Sequence, residues 1–245
     1  MKHIPRFYVT TPHHGSAGDS VLLSPTQTHH CCVVLRLKPN DFVHVFNPSL
    51  GEWRATLQDI TKQAQERWGM VRLETCLQPP SFHDSKHQRR LGLAFGVIKK
   101  EALLWMLEKT CELGVTDYYP LMTTFSQPLH MQHEKLQELL IQATQQCGRL
   151  DPPQIHHLHT LEDMFTYPYT FYAALEREQD DTHAVIKSSQ RIKNNTLLFV
   201  GPEGGFHEDE KKILKKMCIP LSLGKTILRA ETAAIVGIDR LRQGE

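Results

Sequence analysis

The sequence predicts a two-part protein, a small β-barrel followed by an α/β domain built on a largely parallel sheet. Three observations carry this reading. Up to about residue 75 the apolar residues come in short, partly alternating runs with turn residues between them, the pattern of several short strands. Gln78-Pro79-Pro80-Ser81 then interrupts the pattern. Beyond that break, short apolar runs alternate with stretches whose apolar residues recur every three or four positions, as in a layered α/β domain. The expected division is residues 1–75, a linker at 76–81, and residues 82–245.

In the first part, residues 6–9 read as a strand and residues 32–35 as a second apolar run. Residues 41–46 bring Phe42, Val43, Val45 and Phe46, side chains suited to a pleated surface. Asn47-Pro48-Ser49-Leu50-Gly51 is turn chemistry, residues 52–57 resume a strand, and residues 67–74 alternate once more. Such spacing suits a small barrel. In the second part, strands are expected at 91–98, 115–121, 154–158, 169–175, 196–200 and 219–223. Helices are expected at 101–112, with Leu103, Leu107 and Cys111 on one face, and at 134–147, with a stripe of Leu136, Leu139, Leu140 and Ala143. Two more are expected at 208–217 and 230–242. The last carries the compact run Ala233-Ala234-Ile235-Val236-Gly237-Ile238, which suits either core packing or a close helix approach between two copies of the chain.

Composition narrows the function. Among 245 residues, Lys and Arg number 28 against 27 Asp and Glu, a formal charge of +1. A protein that coats nucleic acid by bulk charge is thereby excluded, although a local basic patch is not. Cys31, Cys32, Cys76, Cys111, Cys147 and Cys218 form no C-x-x-C pair and no disulfide-like spacing, which fits reduced thiols in a cytoplasmic protein. The opening Met1-Lys2-His3-Ile4-Pro5-Arg6 lacks the apolar stretch of a signal peptide, and no stretch approaches the ~20 apolar residues of a membrane helix.

Two stretches carry chemistry. In Leu198-Phe199-Val200-Gly201-Pro202-Glu203-Gly204-Gly205-Phe206-His207 a buried strand runs directly into a glycine loop and then a charged helix. Ligands of open α/β sheets bind at the carboxyl ends of strands, and glycines there let the backbone approach them closely. Leu223-Gly224-Lys225-Thr226-Ile227-Leu228-Arg229-Ala230-Glu231-Thr232-Ala233 repeats the design. Gly224-Lys225-Thr226 looks like the tail of a phosphate-binding loop, but Ile219 stands where that motif needs glycine, and G-x-G-x-x-G is missing too. Arg229 and Glu231 fall at the start of the last helix, where an arginine beside a helix N-terminus can hold an anion or simply brace the turn. The 15 histidines include His13-His14, His29-His30, His156-His157 and His159, but no third ligand or carboxylate follows at metal-binding spacing, so no metal is expected.

With these motifs in this order, the chain resembles the RsmE family of bacterial 16S ribosomal RNA uridine-N3 methyltransferases. Arg6-Phe7-Tyr8-Val9, His30 with Val34-Leu35-Arg36, residues 109–115 and Gln146-Cys147-Gly148-Arg149 extend the likeness over nearly the whole chain. The resemblance implies an N-terminal PUA-like barrel used for RNA. It also implies a C-terminal SPOUT domain with a trefoil knot that binds S-adenosylmethionine, and a cytoplasmic homodimer acting on 16S rRNA, within the small ribosomal subunit. The chain departs from the family at Phe125, where arginine is common, and at Cys147 and His207, where serine is usual. Lys225-Thr226 replaces a Pro-Arg pair. Histidine is expected to cap the helix at 208–217 less well than serine.

On this reading Arg229, Glu203 and Glu231 are the catalytic residues. Arg229 donates to the uracil oxygens, and either glutamate takes or orients the N3 proton. Leu175, Gly201, Glu203, Gly204, Leu223, Gly224, Ile227 and Leu228 are expected around the cofactor, and Arg6, Arg36, Arg149 and Arg191 on the RNA. Two other classes are set beside it: an RNA-binding protein with a vestigial cofactor domain, and a metal-dependent hydrolase built on the histidines.

Overall fold

Residues 4–11, 14–63, 66–80, 89–175 and 194–242 are described in the computed structural model. The chain divides into two units, Met1–Gln88 with Thr144–Asp151, and Arg89–Ala143 with Pro152–Glu245.

In the first unit, β1 (Arg6–Tyr8), β2 (Ser20–Leu23), β3 (Phe42–Asn47), β4 (Gly51–Gln63) and β5 (Glu66–Gln78) form one sheet in the order β1-β3-β4-β5-β2. β1 runs parallel to β3, and the other neighbours are antiparallel. Alternate residues, among them Val43, Val45, Trp53, Ala55, Leu57, Val71 and Leu73, turn inward onto Phe7, Val21, Leu23 and Leu50. β4 and β5 outrun the expected strands, and Gln78 still pairs with Glu52, so positions 76–78 are strand rather than linker.

The apolar run at 32–35 is not a strand. Ser24 and Gln27 cap each other's backbone amides at the start of α1 (Pro25–His29). The helix they start continues into a π-helical turn, His30–Val34. That turn buries Cys31 and leaves Val33, Val34 and Leu35 exposed.

In the second unit, β6 (Leu91–Gly96), α2 (Lys100–Glu112), β7 (Asp117–Leu121), α3 (His133–Cys147, of which the part up to Ala143 belongs to this unit) and β8 (Gln154–Ile155) come first. A 3-10 turn (Glu162–Thr166), β9 (Thr170–Ala174), β10 (Thr196–Val200), α4 (Glu208–Met217), β11 (Ile219–Pro220) and α5 (Ala230–Arg242) follow. The sheet order is β11-β9-β10-β6-β7-β8, and every neighbouring pair is parallel.

Both faces of this sheet are covered. Leu93, Phe95, Tyr118, Leu198 and Val200 pack under Leu103 and Leu107 of α2, Leu136 and Leu140 of α3, and Ala234 and Ile238 of α5. Ala94, Tyr119, Leu121, Leu197 and Phe199 pack on Leu161, Met164, Phe206 and Leu214. Two-sided burial is why β6, β7 and β10 read as unbroken apolar runs. The small residues of α5 serve this core: a side chain at Gly237 would come within 2.5 Å of Leu198. Among the described residues no helix is long and apolar enough to cross a membrane.

Candidate active site

From β6 the chain steps outward to β7 and β8, whereas β10, β9 and β11 lie on the other side. Such a reversal opens a crevice at the carboxyl ends of the strands. A cavity of about 580 Å³ lies there, a size suited to a small organic cofactor. Its walls come from Lys99 and Ala102 after β6, Ala174 and Leu175 at the end of β9, the loop after β10, and the segment leading into α5.

The loop after β10 is a tight turn in which the Gly205 amide bonds the Pro202 carbonyl at 2.9 Å. Gly205 sits at φ +71°, backbone that glycine adopts without strain. Phe206 is buried and anchors the turn from below. Glu203 stands exposed in the turn, and its Oε1 accepts the Lys99 amide at 3.0 Å. The acid is thereby held from two loops. Arg229 precedes α5, and its carbonyl accepts the amide of Ala233, the helix's first turn bond. Its guanidinium is exposed and has no bonded partner among the described residues. Glu231 lies in the first turn of α5. Lys211 completes the polar rim and is itself bonded to Glu208 at 2.8 Å. The site thus pairs an apolar wall (Ala102, Leu175, Val200, Phe206, Leu228, Ala233) with a free guanidinium and two carboxylates.

Arg229, Glu203 and Glu231 therefore line one cavity, with Leu175, Gly201, Ile227 and Leu228. Gly204, Leu223 and Gly224 do not line it: Gly204 faces Phe125, and Gly224, at φ +127°, belongs to the exposed turn after β11. Lys99 was missed as a lining residue. A backbone amide carries no residue-type signal, although Lys99-Lys100 directly after an apolar strand marks the right edge of the sheet.

The arginines expected on RNA separate. Arg6 is spent inside the first unit. Its five N–H groups bond Glu52 and the carbonyls of Thr144, Gln145, Gly148 and Arg149, and it lies over the Phe46 ring. No donor is left for a phosphate, so Arg6 is a structural pin rather than an RNA contact. Arg36 is exposed, in left-handed backbone at φ +54°. Arg149 is half-buried, and Arg191 lies outside the described residues. Of the histidines among the described residues, His156 bonds Asp117, His157 stacks on His133, and His159 bonds Tyr167. Among the described residues no three His, Cys, Asp or Glu are grouped to hold a metal.

His207 holds the capping position of α4: its Nδ1 accepts the Asp209 amide at a long 3.4 Å, and Glu210 accepts the His207 amide at 2.7 Å.

Comparison with known proteins agrees with this architecture. Residues 85–242 match the family model described as an RNA methyltransferase domain, and residues 23–64 the RNA methyltransferase PUA domain. A Rickettsia conorii protein named ribosomal RNA small subunit methyltransferase E is 34% identical over 224 residues, 90% of this chain and 88% of that protein. A crystal structure of the like-named Neisseria gonorrhoeae protein, bound to S-adenosyl methionine, superposes with a TM-score of 0.77 at 24% identity, covering 96% of this chain and 95% of that one. A Legionella pneumophila structure with bound SAM gives 0.79 at 24% identity, covering 98% and 97%. Two matched domain models and a relative alike over nine-tenths of the chain place this protein in the ribosomal RNA small subunit methyltransferase E family.

Proposed function

We propose that the protein transfers a methyl group from S-adenosylmethionine to N3 of one uridine in 16S ribosomal RNA. The observation that carries this is the cavity itself, where two carboxylates and a guanidinium with no bonded partner among the described residues share the rim of an apolar, cofactor-sized pocket. When bound, S-adenosylmethionine supplies a methyl group activated by its sulfonium. N3 of neutral uracil carries a proton, and its electron pair is a useful nucleophile only once that proton leaves. Loss of the proton spreads negative charge onto O2 and O4. Arg229 donates to those oxygens and orients the ring. Either Glu203 or Glu231 accepts or orients the proton. The walls formed by Leu175, Gly201, Ile227 and Leu228 hold the cofactor.

N3 lies on the pairing edge of the base, so the target uridine is unpaired or extruded when it reacts. Arg36, Arg149 and Arg191 are proposed to grip the surrounding RNA, with the first unit serving as a PUA-like barrel. A trefoil knot in the second unit, a homodimer and a cytoplasmic small ribosomal subunit as substrate complete the proposal. Mass mapping of small-subunit rRNA from a deletion strain is the test: one uridine-N3 methyl group disappears, and an unchanged pattern rejects the reading. In the purified enzyme, Arg229→Ala is expected to lower turnover far more than cofactor affinity. Equal loss of both would make Arg229 a cofactor or structural residue instead.

A further inference from the structure

Phe125 is a large aromatic side chain left 45% exposed, and the backbone on both sides of it is hydrogen-bonded. β7 ends at Leu121, and the turn that follows is closed by the Ser126 amide on the Thr123 carbonyl and by paired Thr123 and Ser126 hydroxyls. Thr124 bonds Glu210 through both its amide (2.8 Å) and its hydroxyl (3.1 Å). The Gln127 amide bonds the Val97 carbonyl. Phe125 is thereby fixed at the carboxyl edge of the sheet, beside the glycine turn. A Cβ on Gly204 would lie 3.0 Å from its Cβ and 3.2 Å from its Cγ. The residues flanking Gly204, Glu203 and Gly205, line the cavity. The His207 ring lies 6.2 Å away, tilted by 60°, on the same turn. An exposed ring on a fixed mount is what stacking on an unpaired base requires.

We propose that Phe125 is the stacking platform for the extruded pyrimidine, holding the ring so that its pairing edge faces Glu203 and Arg229. This rests on the methyltransferase reading above and adds the residue that positions the base. Gly204 belongs to the same device, because any side chain there would push the platform away.

The test compares Phe125→Ala, Phe125→Leu and Phe125→Tyr on small subunits from a strain lacking the enzyme, with the thermal midpoint, sedimentation and S-adenosylmethionine affinity measured for each. Losing one base–aromatic stack is expected to lower kcat/KM about 5- to 140-fold in both Ala and Leu. Tyr keeps wild-type activity, and cofactor affinity, midpoint and sedimentation do not move. A Leu variant as active as wild type overturns the proposal, since apolar bulk would then suffice. So does a fall in cofactor affinity that tracks the loss of activity, or a change in sedimentation, which would put the ring between copies of the chain. A readout independent of catalysis is Phe125→Trp, whose added fluorescence over the native Trp53, Trp68 and Trp105 is quenched by single-stranded oligouridylate. No quenching overturns the stacking proposal even if the wild type methylates uridine. Quenching by an enzyme that leaves N3 unmodified upholds the platform and rejects the proposed reaction instead.

Discussion

At the scale of single residues, the bond from the Lys99 amide to Glu203 makes a backbone group part of the site. Lys99 lies at φ −55°, which proline adopts without strain, and its N–H precedes the helix and serves no helical bond. Lys99→Pro deletes the amide that holds Glu203, whereas Lys99→Ala keeps it and removes only the ammonium group. If Glu203 must be held, Lys99→Pro turns over roughly 100-fold more slowly, the scale of loss that follows a misplaced catalytic group, and Lys99→Ala is much less affected. Equal rates for the two would show that the orientation of Glu203 does not matter. Asp117 works on stability instead. It is 2% exposed, and burial by itself pushes its carboxyl up. Hydrogen bonds from His156, Arg90 and Thr116 outweigh burial and bring it down to about 2. A carboxyl lowered on folding stabilises the native state fully above its ordinary value of 3.8, and that stability disappears as pH falls toward 2. Asp117→Asn is therefore expected to cost about 2 kcal/mol near pH 7, with the gap to wild type closing between pH 4 and pH 2 in urea titrations. A gap that stays constant with pH would show that the carboxylate's charge contributes nothing.

At the scale of elements, two contacts decide how well helices are tied. His207→Ala removes the side chain that accepts the Asp209 amide and is expected to cost about 1 kcal/mol, while His207→Ser restores it. Thermal melts that rank all three alike would mean that Glu210 alone caps α4. Arg6→Ala strips a buried partner from Glu52, which then keeps His44. It also takes one donor from each of the carbonyls of Thr144, Gln145, Gly148 and Arg149, and a loss of about 3 kcal/mol in denaturant unfolding is expected. These contacts also mark what the sequence makes legible. Strands β6, β7 and β10 and helices α2, α4 and α5 are readable because each repeats one burial pattern over five or more residues. β2 is not readable, because four residues form a strand only through pairing with β5 some fifty positions away. The π-helical turn hides for a related reason: Val33 and Val34 look like a strand until the cap at Ser24 commits the chain to a helix. In the cavity, Glu203, Arg229 and Glu231 are legible because glycine loops at strand ends announce a binding edge. Lys99 is not, since its part is played by an amide. Arg6 misleads because sequence does not reveal whether an arginine's donors are spent indoors.

At the scale of the whole molecule, a formal charge of +1 sits beside a proposed polyanionic substrate. Long-range attraction is weak for such a chain, so affinity has to come from a few placed cations and from contacts that salt does not screen, such as base stacking. Several cations are already engaged within the protein. Arg6 is bonded to Glu52, Arg90 to Asp117, Lys109 to Glu108 and Glu112, Lys212 to Asp209 and Arg242 to Asp239. Each phosphate contact to RNA adds roughly 0.7–0.9 to the slope of log affinity against log salt. Three or four contacts therefore predict a slope of about −2 to −4, far shallower than the roughly −10 of a strongly electrostatic binder. Arg36→Ala is expected to make the slope shallower by about one contact, whereas Phe125→Ala lowers affinity without changing it. Filter binding to small subunits between low and physiological salt separates the two kinds of contact. A wild-type slope near −8 would require a basic surface that this composition supplies only by gathering its free cations on one face, and it would move the weight of recognition from shape and stacking to charge.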